Sequence, residues 1–168
     1  MSESSAPDPL RPTSGRFEGR EHAYPLRVFY EDTDAAGIVY YANYLKFAER
    51  ARTEAMRLLD LDHRRFADTE GLVFVVRRVE VEYLTPARLD DALIVRTRFV
   101  AMGAAYVDAV QRIMRDDEVL AQVTMQVVCM TKAGGVARIP RLWREAFKTY
   151  LIDRDRAETQ GIGGAAAP

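Results

Sequence analysis

The sequence is short of the residues that disulfides and metal sites need. Its 168 residues include one cysteine and two histidines. A lone cysteine excludes an internal disulfide, and Cys129 lies in the apolar run Val127-Val128-Cys129-Met130, where it reads as a small buried hydrophobe of a protein kept in a reducing compartment. No two of His22, His63 and Cys129 have metal-ligand spacing, so no metal is expected. Neither sign of charge is in excess: 24 basic and 25 acidic side chains leave a net charge of -1, which gives no electrostatic footprint for nucleic acid or an anionic membrane. No stretch approaches the roughly 20 apolar residues of a spanning helix. The first residues, Met1-Ser2-Glu3-Ser4-Ser5, carry neither the basic nor the apolar region of a secretory signal. The expectation is a cytoplasmic protein with no membrane span and no nucleic-acid partner.

A chain of this length forms about one domain. Residues 1–21 are rich in Ser, Pro, Gly and charge and residues 161–168 in Gly and Ala, so a flexible N-terminal extension over 1–21, a folded domain over 22–153 and a flexible tail over 154–168 are expected. Pro25 to Tyr30 alternates Leu26, Val28 and Tyr30 with Arg27 and Phe29 and reads as the first strand. Tyr44, Ala48, Ala51, Ala55 and Leu58 then recur at spacings of four and three, the buried stripe of a helix of about five turns. Asn43 or a neighbour is placed to cap it, and Arg50 with Glu54 forms a surface pair.

From Val73 the period changes to two. Val73, Val75, Val79, Val81 and Tyr83 share a parity to which Arg77 is the exception, and Thr85 to Asp91 breaks the run. Leu93 to Phe99, Tyr106 to Met114 and Val119 to Met130 follow as strands joined by short turns, an antiparallel meander, and Leu142 to Leu151 reads as a short terminal helix. The fold class is α+β: one long helix wrapped by a five-stranded antiparallel sheet. One helix cannot cover both faces of such a sheet, so a second subunit is expected against the other face or an edge.

Between the first strand and the helix stands Tyr30-Glu31-Asp32-Thr33-Asp34-Ala35-Ala36-Gly37-Ile38-Val39-Tyr40-Tyr41-Ala42-Asn43-Tyr44. The helix start leaves backbone N–H groups without intrahelical partners, donors suited to a developing oxyanion. A carboxylate just before them can serve as base or nucleophile on the same carbonyl carbon, which is what ester or thioester hydrolysis requires. The residues alone equally allow Asp32 and Asp34 to make only turn and capping hydrogen bonds.

This stretch, with Phe47-Ala48-Glu49-Arg50-Ala51-Arg52-Thr53-Glu54, Val75-Val76-Arg77-Arg78, Val81-Glu82-Tyr83 and Pro86-Ala87-Arg88-Leu89-Asp90-Asp91, resembles the signature of hotdog-fold acyl-CoA thioesterases. It is similar to the 4-hydroxybenzoyl-CoA thioesterase group and most closely to its bacterial members associated with the Tol-Pal system, over about Leu26 to Pro140. The resemblance implies a dimer or tetramer that hydrolyses acyl-CoA, with short-chain or aromatic acyl groups, or acyl carrier protein as the alternative carrier. It implies no cofactor, coenzyme A being part of the substrate. It puts the catalytic aspartate on Asp34, the backbone donor on Tyr41 and the close backbone approach on Gly37, and assigns Asp32 to the turn. Many Tol-Pal-associated members carry His at the position of Tyr41, whereas the hydroxybenzoyl type carries Tyr.

Other residues weigh less. Glu49 reads as a solvated helix residue that could reach a pocket across a dimer. His22 reads as flexible terminus and His63 as surface. Arg77, Arg78 and Arg88 could hold coenzyme A phosphates through paired hydrogen bonds, or pair with Asp90 and Asp91. Two other functions fit a hotdog chain: a non-catalytic acyl-thioester binder or scaffold, and a dehydratase, whose paired His the junction lacks.

Overall fold

A computed structural model of the protein describes residues 11–152. Its elements are β1 (Arg16–Glu18), β2 (Glu21–Arg27), α1 (Asn43–Leu58), α2 (His63–Thr69), β3 (Leu72–Tyr83), β4 (Ala92–Met102), β5 (Tyr106–Arg115), β6 (Glu118–Thr131) and α3 (Arg141–Tyr150). The strands form one six-stranded sheet in the order β1-β2-β4-β5-β6-β3. β4, β5 and β6 are consecutive hairpins, while β3 crosses to the far side and pairs antiparallel with β6. That crossing makes β3, a strand of 12 residues, an edge of the sheet.

The long helix forms where its spacing predicts and lies across one face of the sheet. Tyr44, Phe47, Ala48, Ala51, Ala55 and Met56 are its buried apolar residues, and they pack into one core with Val95, Phe99, Val107, Ala109, Ile113 and Val123 of the strands. Leu58, at the end of the expected stripe, is instead 42% exposed. Gln111, with no exposed surface, crosses from β5 to the helix: its Nε2 donates to the Ala48 carbonyl (2.8 Å) and to Thr97 Oγ1 (2.9 Å). On the helix surface Glu54 pairs with Arg57 rather than with Arg50.

Three expectations are corrected. The sheet has a sixth strand and begins earlier than composition suggests: β1 and β2 pair from Arg16 onward, so part of the supposed extension is sheet, while residues 1–10 and the tail over 154–168 lie outside the described residues. The first long strand ends at Arg27, and Tyr30–Asp32 is a 3-10 turn. In β3, Val76 faces Val127 and Arg78 faces Gln126, so Arg77 is the extra residue of a β-bulge. A bulge resets which parity points inward, and the break in alternation at Arg77 is its mark in the sequence.

His22 is also corrected. It is fully buried in β2, its Nε2 2.8 Å from the Ser14 carbonyl, and its ring tilts against Phe17 at 5.2 Å. The Ser14 contact makes Nε2 the donor, and Nδ1 is buried with no hydrogen-bond partner among the described residues. Burial depresses the pKa of this imidazole, the Ser14 contact only partly opposing it. The folded state therefore favours the neutral ring. Its contribution to stability is complete above the unfolded value of about 6.5 and is lost as pH falls through the lower folded value. Urea unfolding at pH 7.5 and pH 5 should show the wild type losing more stability on acidification than His22→Phe; equal losses would remove His22 as the cause.

Candidate active site

The junction before α1 is a tightly tied loop. Asp32 is 5% exposed, and its Oδ2 accepts the Phe29 N–H at 2.9 Å. Its carbonyl accepts both the Tyr40 N–H and Asn43 Nδ2, each at 2.9 Å. Asn43 therefore ties the loop to the helix start instead of capping it; Ala42 occupies the cap position, with no side-chain hydrogen bond. Asp32 is used up by structure, as the turn role requires.

Two residues on, the chain makes a second turn with Asp34 at its start. The Asp34 N–H donates to the Ile38 carbonyl at 2.9 Å, the Gly37 N–H to the Asp34 carbonyl at 3.0 Å, and the Ala36 N–H to Asp34 Oδ1 at 2.8 Å. Gly37 closes the turn at φ +74, where a Cβ would be strained although open space surrounds it. Val39 N–H donates to the Ala87 carbonyl at 2.8 Å and Ile38 pairs with Arg88, which pins the turn to the segment after β3. Asp34 is exposed, and its Oδ2 has no partner among the described residues.

Asp34 and Tyr41 line one pocket of about 380 Å³, together with Tyr44, Tyr83, Thr85 and Pro86. Tyr83 OH donates to the Tyr41 carbonyl at 2.9 Å, and Tyr44 OH accepts the Ala87 N–H at 2.9 Å. The Tyr41 N–H, just ahead of the helix, has no acceptor among the described residues. The Tyr41 ring is 61% exposed and leans on Tyr40 at 4.6 Å. Burial pushes the Tyr44 and Tyr83 phenols above the usual tyrosine value, and the hydrogen bond with Tyr41 does the same for Tyr40. The Tyr44 and Tyr83 phenols of the pocket stay protonated near neutrality, beside the Asp34 carboxyl group. Tyr44 and Tyr83 join the site beyond the residues the resemblance points to, and the sequence signal for Tyr83 is its parity with Val79 and Val81 beyond the bulge.

The three arginines separate. Arg88 is held beside the turn by its pairing with Ile38, and its N–H donates to Asp91 Oδ2 at 2.8 Å. Arg78 and Arg77 lie five and six residues up β3 from Tyr83, roughly 15–20 Å along the strand, and Arg78 approaches Glu80 at 3.6 Å. They do not reach the Asp34 pocket within one chain. Asp91 pairs instead with Arg115 at 2.8 Å, and Arg27 donates to the Asp90 carbonyl. Among the described residues no three His, Cys, Asp or Glu side chains gather as a metal site.

A second cavity, of about 420 Å³, opens farther along α1. Phe74, Val76, Phe99 and Met125 line it with Phe147 of α3, and Glu49, Arg52 and His63 supply its polar side. Glu49 is exposed, as expected of a solvated helix residue, yet borders this cavity. His63 keeps an exposed edge while its ring meets Phe74 at 6.4 Å and Trp143 at 6.3 Å.

The fold is that of the hotdog thioesterases. Residues 28–148 match the Thioesterase-like superfamily, and the chain belongs to that family. It is 42% identical to the acyl-CoA thioesterase YbgC of Haemophilus influenzae over 108 residues, which is 64% of this chain and 79% of that protein. It is 43% identical to the acyl-CoA thioester hydrolase YbgC of Escherichia coli over 112 residues, 64% of this chain and 80% of that one. Among solved structures, a probable thioesterase from Bartonella henselae superposes with a TM-score of 0.69 at 32% identity, covering 71% of this chain and 99% of that one.

The turn at Gly37 gives a direct test. Gly37→Ala meets no neighbour and suffers only the left-handed backbone, so it should fold with a stability loss of about 1 kcal/mol, measured by denaturant unfolding. An unchanged midpoint would show that the turn relaxes.

Proposed function

We propose that the protein hydrolyses acyl-CoA thioesters to a free acid and coenzyme A, with Asp34 as the reacting carboxylate. The observation that carries this reading is one pocket lined by an exposed carboxylate and by Tyr41, whose N–H has no acceptor among the described residues, in a chain of the thioesterase family. The thioester carbonyl oxygen would take the Tyr41 N–H, with the positive end of α1 behind it. Asp34 Oδ1 is held by the Ala36 N–H, and Oδ2 is left to act.

Acting as nucleophile, Oδ2 adds to the carbonyl carbon and the C–S bond breaks to release coenzyme A thiolate. Water then cleaves the mixed anhydride, giving back the carboxylate and the acid. Acting as general base, Asp34 takes a proton from water, whose oxygen adds to the carbonyl carbon; the C–S bond then breaks and the proton passes on to the coenzyme A thiolate. Repeated turnover in 18O-water separates the two: attack of water on the Asp34 carbonyl of the anhydride leaves label in the Asp34 carboxylate, whereas the general-base route labels only the released acid. Gly37 would serve by holding the turn, and Arg88, paired with the neighbouring Ile38, would meet a coenzyme A phosphate.

Edge strand β3 favours a homo-oligomer. Val75, Val76 and Val79 are 43%, 46% and 40% exposed on a strand whose outer backbone groups lack a neighbour strand among the described residues, and a second copy of β3 would cover them. Arg77 and Arg78 on this edge would then meet substrate only from across the interface. The named H. influenzae and E. coli relatives act on acyl-CoA. Acyl carrier protein as alternative carrier, a cytoplasmic location and association with the Tol-Pal system are carried by the resemblance.

Asp34→Asn should keep the fold and lower thiol release from short acyl-CoAs by about a hundredfold or more; retention of a tenth of the activity would argue against the role. Light scattering at micromolar concentration should report a dimer or tetramer, and Val79→Lys should lower that mass. A monomeric wild type would end the oligomer reading.

A further inference from the structure

The second cavity holds a charge that the apolar walls do not explain. Glu49, Arg52, Thr53 and Met56 are spaced along α1 as one stripe and border it, facing Phe74, Val76 and Phe99. Arg52 lies partly beneath the helix, where its Nη1 donates to Gln111 Oε1 at 3.1 Å. A guanidinium carries five N–H donors in a rigid fork, and no carboxylate stands within ion-pair distance of this one among the described residues. Burial opposes its charge, lowering its pKa from the usual arginine value, with Glu49 only partly offsetting this.

The other two polar groups do not balance it in place. Glu49 is exposed, and its Oε1 accepts Thr53 Oγ1 at 2.7 Å, so its charge sits in water at the mouth. Burial also lowers the pKa of His63, which leaves that ring neutral near pH 7. A cation on the wall of an apolar cavity is stabilised by an incoming anion, and the planar fork fits a carboxylate through two parallel hydrogen bonds.

We propose that this cavity takes the far end of a substrate acyl group that ends in a carboxylate, so that Arg52 selects ω-carboxyacyl thioesters, the half-thioesters of dicarboxylic acids. The inference rests on the thioesterase reading and deepens it. Tyr44 in the first pocket and Arg52 in the second are eight residues apart on one helix, roughly 12 Å, a span that an extended acyl chain of medium length covers.

The test compares kcat/KM for length-matched pairs: succinyl-, adipyl- and suberyl-CoA against butyryl-, hexanoyl- and octanoyl-CoA. The wild type should favour the carboxylated member of at least one pair by about tenfold or more, the scale of a charge-assisted hydrogen bond. Arg52→Met should erase that ratio while leaving turnover of the plain partner in place, a split that a general loss of structure would not produce. Arg52→Lys keeps the charge without the fork and should retain part of the ratio, and it decides the matter if Arg52→Met does not fold. Glu49→Gln, by removing a like charge at the mouth, should raise the ratio. No preference at any length, a ratio indifferent to Arg52, or an equal gain for the ω-hydroxyacyl thioester of the same length would each overturn the inference. A wild type that hydrolyses none of the six would refute the thioesterase reading and this inference with it. Turnover of plain acyl-CoA alone would refute only the latter.

Discussion

The structure depends on how closely α1 lies on the sheet. Ala48, Ala51 and Ala55, with Phe47, are fully buried, and side chains that small let the helix backbone settle near the strands. Close approach buries polar backbone, and Gln111 answers for it by donating to the Ala48 carbonyl from β5 while its own oxygen takes Arg52. A buried amide that is fully hydrogen-bonded fixes geometry where apolar contacts alone would allow sliding. The axial position of the helix is set there, and with it the place where Asn43 meets the Asp32 carbonyl.

Much of this was legible in the sequence. The stripe at spacings of four and three gave α1, and the alternation of Leu93 to Phe99 and Val119 to Met130 gave the meander. What was missed shares a cause: it depends on contacts between residues distant in the chain. Residues 11–21 look like a loose end because Phe17 is their only large aromatic, but that ring packs on Tyr150 at 4.2 Å and on His22. His22 reads as an exposed polar residue until β1 and α1 enclose it. The bulge at Arg77 was visible as a break in parity, but only pairing with β6 shows that Phe74 and Val76 point into the same layer as Val81 and Tyr83.

The two acids of the junction illustrate what local sequence can and cannot decide. Two positions apart in an extended chain, Asp32 and Asp34 would share a face. The 3-10 turn at Tyr30–Asp32 and the second turn closed by Gly37 break that equivalence, so one carboxylate is buried among backbone donors and the other stands exposed at the pocket. Resemblance assigned the roles, and the hydrogen bonds supply a physical reason for the division. A carboxylate that already accepts the Phe29 N–H in a buried setting is poorly placed to react, whereas Asp34 gives one oxygen to its own turn and has the other to spare.

Both pockets border the same helix. Tyr41, just ahead of it, and Tyr44, in its first turn, line the cavity that holds Asp34, and the stripe from Glu49 to Met56 lines the apolar one. A helix is stiff over that distance and its Ala face leaves it little freedom, so the separation between the carbonyl-binding end and Arg52 is fixed by backbone geometry rather than by loop conformation. Selection by acyl length and end group would then follow from the same contact that positions the reacting carboxylate. Changes at Gln111 or at the Ala stripe should be felt at both ends together, whereas a change at Arg52 acts at one.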